Sequence, residues 1–376
     1  MTDRIVLMAT TYKHDAHSVH KFASDAQGPR AVEPADGQPE KGAAQYGNVD
    51  VRPFVLSDCG SITQFPHRFE LRHPESDGDA PGKWQLIARR LLTGEETSSP
   101  LYVARDSDTK RRLGVLQCMQ QGVDDRWYLQ YLASQEEVDD GNTVHIALLE
   151  YAIGQAGWRG ARRLMARSDT DSPLTGTLRS VGFTAYAREY VYAMPSLPEG
   201  ATGKRVRTQE KSDVWSIHQL YLQTTPRDVQ NAEALTSHFW EIDQEGRSRR
   251  GWFVPADTGA SAYVRVRTNR KFHLLDAMYH VDSLACMPDL FETVFHALRN
   301  ETPRPVYFQV RGYQQELESV LESYGFQLDT DQLMMVRYTT VPVPNSVRPI
   351  ATFERLRKAE AEGQRVPSFY VRDVHD

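Results

Sequence analysis

Val51-Arg-Pro-Phe-Val-Leu-Ser-Asp-Cys-Gly-Ser-Ile-Thr-Gln-Phe65 returns 155 residues later as Val206-Arg-Thr-Gln-Glu-Lys-Ser-Asp-Val-Trp-Ser-Ile-His-Gln-Leu220, with seven identities in fifteen positions. A second pair lies downstream of each, Leu178-Arg-Ser-Val-Gly-Phe183 and Leu321-Glu-Ser-Tyr-Gly-Phe326, at an offset of 143. Two landmarks recurring in the same order define two copies of one unit, the second slightly shorter between them. A repeat of this kind fixes the architecture before any single element is assigned. The length of 376 residues agrees, because single cores usually stop growing well short of it.

Breaks in composition set the boundaries. From Phe22 to Asn48 almost nothing is apolar, so residues 1–48 read as a largely disordered tail. Pro195 to Lys204 carries two prolines and two glycines, the composition of a linker. The domains are then expected at 49–194 and 205–343, separated by 195–204 and followed by a C-terminal helix and tail at 344–376.

Within the first copy the apolar period alternates between strand and helix. Leu101 to Arg105, Leu113 to Met119 and Trp127 to Ala133 read as an antiparallel meander of three strands. Ile146, Leu149, Ile153 and Ala156 share a helical face. A buried strand at Arg163 to Ala166, a short helix at Leu174 to Val181 closing on Gly182, and a β run at Phe183 to Met194 complete the unit. The second copy repeats this with strands at Ser261 to Arg267 and Phe272 to Tyr279, a helix carrying Leu290, Val294 and Leu298, and a strand at Val306 to Val310. The order is strand, helices, three strands, helix, strand, helix, strand, which makes the fold class α/β (α+β), each domain a mixed, mostly antiparallel sheet flanked by helices.

That order, with Gly-Phe after the last helix, resembles the GNAT superfamily of acyl-CoA N-acyltransferases over both domains. The resemblance implies a central strand that splays from its neighbour, acyl-CoA in the cleft, and pyrophosphate on the backbone N–H groups that begin the following helix. The family motif there is Gln/Arg-x-x-Gly-x-Gly/Ala. The first copy has Asp140-Gly-Asn-Thr-Val-His145 instead, so the cofactor-binding candidates for acetyl-CoA or CoA are Gly141, Asn142, Thr143, Val144, His145 and Ile146. In the second copy Val281 to Asp289 holds no glycine, so no CoA is expected to bind there. The family's tyrosine acid, four residues before the Gly of Gly-Phe, is replaced by Leu178 and Leu321, which cannot transfer a proton. The family's asparagine, eleven residues before that Gly, is Asp171 in the first copy and Gln314 in the second. Glu136 and Glu137, just past the third strand, are the candidate catalytic bases, with solvated loop carboxylates as the alternative reading.

Two functions follow. One is an N-acetyltransferase moving acetyl from acetyl-CoA to an unidentified amine acceptor, a small molecule or a protein, with domain 1 as the cofactor site. The other is a catalytically inactive double-domain scaffold or binding protein. A net charge of −6, a pI near 6.1 and scattered arginines give no footprint for nucleic acid. Cys59, Cys118 and Cys286 are far apart and odd in number, which fits a reducing compartment, and no apolar run spans a bilayer, so a cytoplasmic location is expected. His14, His17 and His20 read as part of a solvated tail, and no metal site is expected. Arg247, Arg249 and Arg250 read as a solvated loop, and Arg265, Arg267, Arg270 and Lys271 as charge on an edge strand that prevents pairing with another chain. Glu75 to Gly82 falls where the family's acceptor loop lies. Thr352 to Glu362 reads as a helix, and Val366 to Val371 is apolar enough to dock on a domain or on a partner chain.

Overall fold

The computed structural model describes residues 44–58, 65–71, 99–120, 125–135, 143–197, 206–242, 248–257, 259–269, 271–299, 301 and 303–339, all of them in one structural unit. The N-terminal histidines, the stretch from Glu75 to Gly82 and the expected C-terminal helix and tail lie outside these residues.

In the first half, β1 (Ala44–Tyr46), β2 (Val49–Pro53) and β3 (His67–Glu70) precede β4 (Leu101–Asp106), β5 (Arg112–Gln120) and β6 (Arg126–Ser134). Helix α1 (Thr143–Trp158), β7 (Arg163–Asp169), α2 (Leu174–Ser180) and β8 (Thr184–Met194) follow. The second half runs β9 (Arg207–Thr208), α3 (Val214–Thr224), α4 (Arg227–Glu233), β10 (Arg249–Ala256), β11 (Gly259–Thr268) and β12 (His273–Tyr279). It closes with α5 (Met287–Arg299), β13 (Val306–Arg311), α6 (Glu316–Ser323) and β14 (Gln327–Tyr338). The second half follows the order expected from the sequence, whereas the first adds β1, within the expected tail, and β3, and shows no α-helix ahead of β4 among the described residues.

The sequence landmarks do the same work in both halves. Asp58 takes a bidentate grip from Arg52 at 2.8 and 2.9 Å and accepts the backbone N–H of Val55, while Asp213 pairs with Arg207 at 2.6 Å and accepts that of Glu210. Each aspartate thus pins a strand, β2 in the first half and β9 in the second, to the turn that follows. At the other landmark α2 and α6 end on Gly182 (φ +86°) and Gly325 (φ +92°), a left-handed position that glycine takes without strain. The next N–H reaches back five residues, Phe183 to Leu178 O at 3.0 Å and Phe326 to Leu321 O at 3.2 Å. All four of these side chains are buried.

The strands form one continuous sheet, in the order β1-β2-β4-β5-β6-β7-β14-β8-β13-β12-β11-β10-β9, with β3 set against β6. The two halves exchange their last strands. β8, from the first half, lies between β14 and β13 of the second, and β14 lies between β7 and β8 of the first. The central run β7-β14-β8-β13 therefore has approximate twofold symmetry about the β8–β14 pair. One core packs α1 and α2 on the first half's sheet around Trp127, Leu148 and Phe183; the other packs α5 and α6 on the second around Phe291, Phe295 and Phe308. No helix among the described residues is long and apolar enough to cross a membrane.

Two expectations are corrected here. Arg265 and Arg267 do share a face, but β11 is an inner strand paired with both β10 and β12, so their charge does not guard an edge. Arg249 and Arg250 begin β10 rather than sit in a loop, and Arg250 is ion-paired with Glu301 at 2.5 Å and lies over the Trp252 ring. Trp252 and the following apolar residues, flanked by charge, supply a strand signal that reading the arginines alone passed over.

Candidate functional site

Among the described residues each half contains one parallel pair, and each pair splays. β6 and β7 stay in register only over Arg126↔Arg163, Trp127↔Leu164 and Tyr128↔Met165. β12 and β13 stay together from His273↔Val306 to Asp276↔Gln309. Beyond those points the sheet opens as the family resemblance implies.

In the first half the opening is filled by the chain itself. β3 pairs antiparallel with the edge of β6 that β7 has left, from His67↔Ser134 to Glu70↔Tyr131, and Leu71 N–H donates to Gln130 O at 3.1 Å. Backbone groups that a ligand in the cleft would meet are already satisfied. The start of α1 sits beside this edge. His145 is fully buried, its Nε2 2.8 Å from Ser134 Oγ and its ring edge-on to Phe69 at 6.1 Å. Val144 is buried as well, Ile146 half-buried and Thr143 exposed. Of the six cofactor-binding candidates, these four open α1, with the first turn laid against Gly114 of β5 so closely that a Cβ there would meet Val144 and Leu148. Gly141, Asn142, Glu136 and Glu137 lie outside the described residues.

In the second half no strand among the described residues fills the opening. Instead Gln314 Nε2 donates to Ala277 O at 2.8 Å and Tyr279 Oη to Glu316 Oε2 at 3.2 Å, so side chains bridge it. α5 starts Met-Pro-Asp: Pro288 has no N–H to offer, and Asp289 puts negative charge in the first turn. Leu178 and Leu321, at the family's acid position, are core residues, and Asp171 is exposed.

A concavity lies elsewhere, over the face of the central sheet and under α3, α4 and the Phe239-Trp240 turn. Its floor is a charged layer running across the exchanged strands. Glu189 of β8 is fully buried and meets Arg167 Nε at 3.0 Å, Gln309 Nε2 at 3.1 Å, Gln332 Nε2 at 2.6 Å and Arg311 Nη1 at 3.3 Å. Arg311 reaches on to Glu233 at 3.1 Å, which also accepts from Tyr221 Oη at 3.1 Å. Arg265 grips Asp276 with two bonds of 2.9 Å and lies 4.3 Å from the Phe239 centroid, and Arg267 donates to Gln309 at 2.7 Å. Arg126 is buried as well, donating to Glu233 O at 3.2 Å.

Burial pushes the carboxyls of Glu189 and Asp276 up, yet the facing arginines outweigh it and both end below their ordinary values. Burial raises the Tyr186, Tyr221 and Tyr313 phenols, the last to about 12, so all three stay protonated as donors. Sequence reasoning missed this layer, because its members come from β7, β8, β11, β12, β13 and β14 and have no common spacing. Among the described residues no cluster of three or more His, Cys, Asp or Glu could hold a metal ion.

No family model matches the chain, and no curated protein matches it in sequence. Solved structures similar to it include a GCN5-related N-acetyltransferase from Sphaerobacter thermophilus (10% identity, TM-score 0.47, covering 81% of this chain and 98% of that one). A tandem GNAT protein from the clavulanic acid biosynthesis pathway is 14% identical, with TM-score 0.45 and coverage of 78% and 99%. A putative acetyltransferase from Pyrococcus horikoshii is 10% identical, with TM-score 0.44 and coverage of 80% and 93%. The fold itself is read from the order of elements repeated in the two halves and their two splayed parallel pairs: a double GNAT-type fold in one sheet.

Proposed function

We propose that this chain is a binding protein that keeps the double acyltransferase fold as a rigid frame and does not transfer acetyl groups from acetyl-CoA. The observation that carries this reading is β3, which occupies the β6 edge from Gln130 to Ser134 where the cleft would receive the cofactor. Three further features point the same way: the acid in Asp140-Gly-Asn-Thr-Val-His145, the buried side chains of Val144 and His145, and Pro288 and Asp289 at the corresponding helix of the second half. A ligand taking the cleft would have to break the β3 ladder and neutralise opposing charge before gaining any contact.

Calorimetric titration of the full chain with acetyl-CoA and with CoA tests this. No saturable heat is expected up to millimolar ligand. Micromolar binding would overturn the reading and restore acetyl transfer in the first half, with Glu136 and Glu137 as the bases to replace first.

A further inference from the structure

In the concavity over the central sheet a floor of paired charges adjoins one unpaired donor. Arg167 and Arg311 meet Glu189, Arg311 also meets Glu233, Arg265 grips Asp276, and Arg267 donates to Gln309. An ion entering here would shed its water and find these groups already engaged with one another, which is costly. The floor therefore favours an uncharged occupant.

Tyr186 of β8 is the exception among the polar groups. Its ring is half-buried, packs with Met165, Ala232 and Val336 and lines the cavity, yet its hydroxyl makes no hydrogen bond to any described residue. Burial holds the phenol well above its ordinary value, so the hydroxyl keeps its proton and can donate it to an acceptor that enters. Leu129, Met165, Leu235, Met278 and Met334 supply apolar wall, and three of these five are methionines, whose flexible thioethers adapt to the shape of what they meet. The cavity volume is about 80 Å³, several times the roughly 10–15 Å³ that one water needs, so it has room for the end of a small molecule.

We propose that this cavity binds a small uncharged molecule that carries one hydrogen-bond acceptor on a short apolar body, of the kind formed by aliphatic ketones and esters. The carbonyl oxygen accepts from Tyr186 Oη, and the body lies against the methionine wall. The site depends on the strand exchange, because Met165 comes from β7, Tyr186 from β8, Met278 from β12 and Met334 from β14, so neither half alone contains it. The inference deepens the binding-protein reading by naming a ligand class, and does not require the clefts to be closed.

The test is titration of the full chain, labelled at its methionine methyl groups, with cyclopentanone, cyclopentane, cyclopentanecarboxylate and cyclopentylammonium, which share one ring. Cyclopentanone is expected to shift the NMR signals of Met165, Met278 and Met334, and to bind at least about tenfold more tightly than either ion. Tyr186→Phe should keep the fold, since its hydroxyl has no described partner to lose, and is expected to weaken cyclopentanone binding about 2- to 10-fold, the range of one neutral hydrogen bond, without weakening that of cyclopentane. Equal affinity of the wild type and Tyr186→Phe for the ketone overturns the proposal, as does tighter binding of either ion or a ketone that leaves all three methyl signals in place. Calorimetric binding of acetyl-CoA that also leaves these signals in place would refute the reading of the clefts while leaving this one standing.

Discussion

Replacing Glu189 with leucine is expected to lower the unfolding free energy by about 3–5 kcal/mol, the range for removing one member of a buried charge network. The carboxylate holds Arg167 and Arg311 on either side and two glutamine amides besides, and it is fully buried. Without it, two guanidinium groups stay in the interior with reduced counter-charge. Urea unfolding of the two proteins checks the value, and a loss under about 1 kcal/mol would show that the layer is replaceable by apolar packing. The same groups set the response to acid. The folded-state pKa values of Glu189 and Asp276 are depressed, so their contribution is present above the unfolded carboxylate range and is lost as pH falls through the folded values. His273 adds to this from higher pH. Burial lowers it from 6.5 to about 4, so the unfolded chain takes up a proton that the folded one refuses, and stability falls across that window. Leucine at position 189 should flatten the part of the pH profile below about pH 4 and leave the part above it unchanged.

Expressed separately, residues 44–197 and 206–339 are expected not to fold, whereas the two fragments produced together should assemble. All ladder partners of β8 among the described residues, β13 and β14, belong to the second half, and β14 pairs only with β7 and β8 of the first. Cutting between the halves removes three ladders at once, with seven registered pairs between β14 and β7, nine between β14 and β8 and six between β13 and β8. Each fragment would also expose long edges that template aggregation. The intact chain should accordingly melt in one transition, because neither core can open without releasing strands of the other. Two separated calorimetric transitions, or a well-dispersed amide spectrum from either fragment alone, would contradict this.

The order of elements was legible in the sequence because each apolar run carries its own period. Leu101 to Arg105 and Leu113 to Met119 could only be strands, and the Gly-Phe landmarks mark the helix ends at Gly182 and Gly325. The partners of the last strands were not legible. Alternation in Thr184 to Met194 says which residues face inward, but β8 meets that demand equally well against a strand of its own half or of the other. For the same reason the charged floor was hidden. Arg265 and Arg267 look like edge charges until β12 brings Asp276 and β13 brings Gln309 beside them. β3 escaped notice because four residues, His67 to Glu70, are too few to show a period at all. The cleft was inferred where the family has one, yet its occupant is a local segment with no signal of its own.

The exchange of strands also dictates when the protein can fold. β7 and β8 leave the ribosome early, but the strand that separates them, β14, is among the last described segments to be made. At synthesis rates of roughly 5–20 residues per second, the first half waits on the order of ten seconds with β7 and β8 unpaired along their inner edges. Its sheet is therefore completed only once the second half has been made, and the yield of this chain in a cell depends on how long those two edges are kept from pairing with anything else.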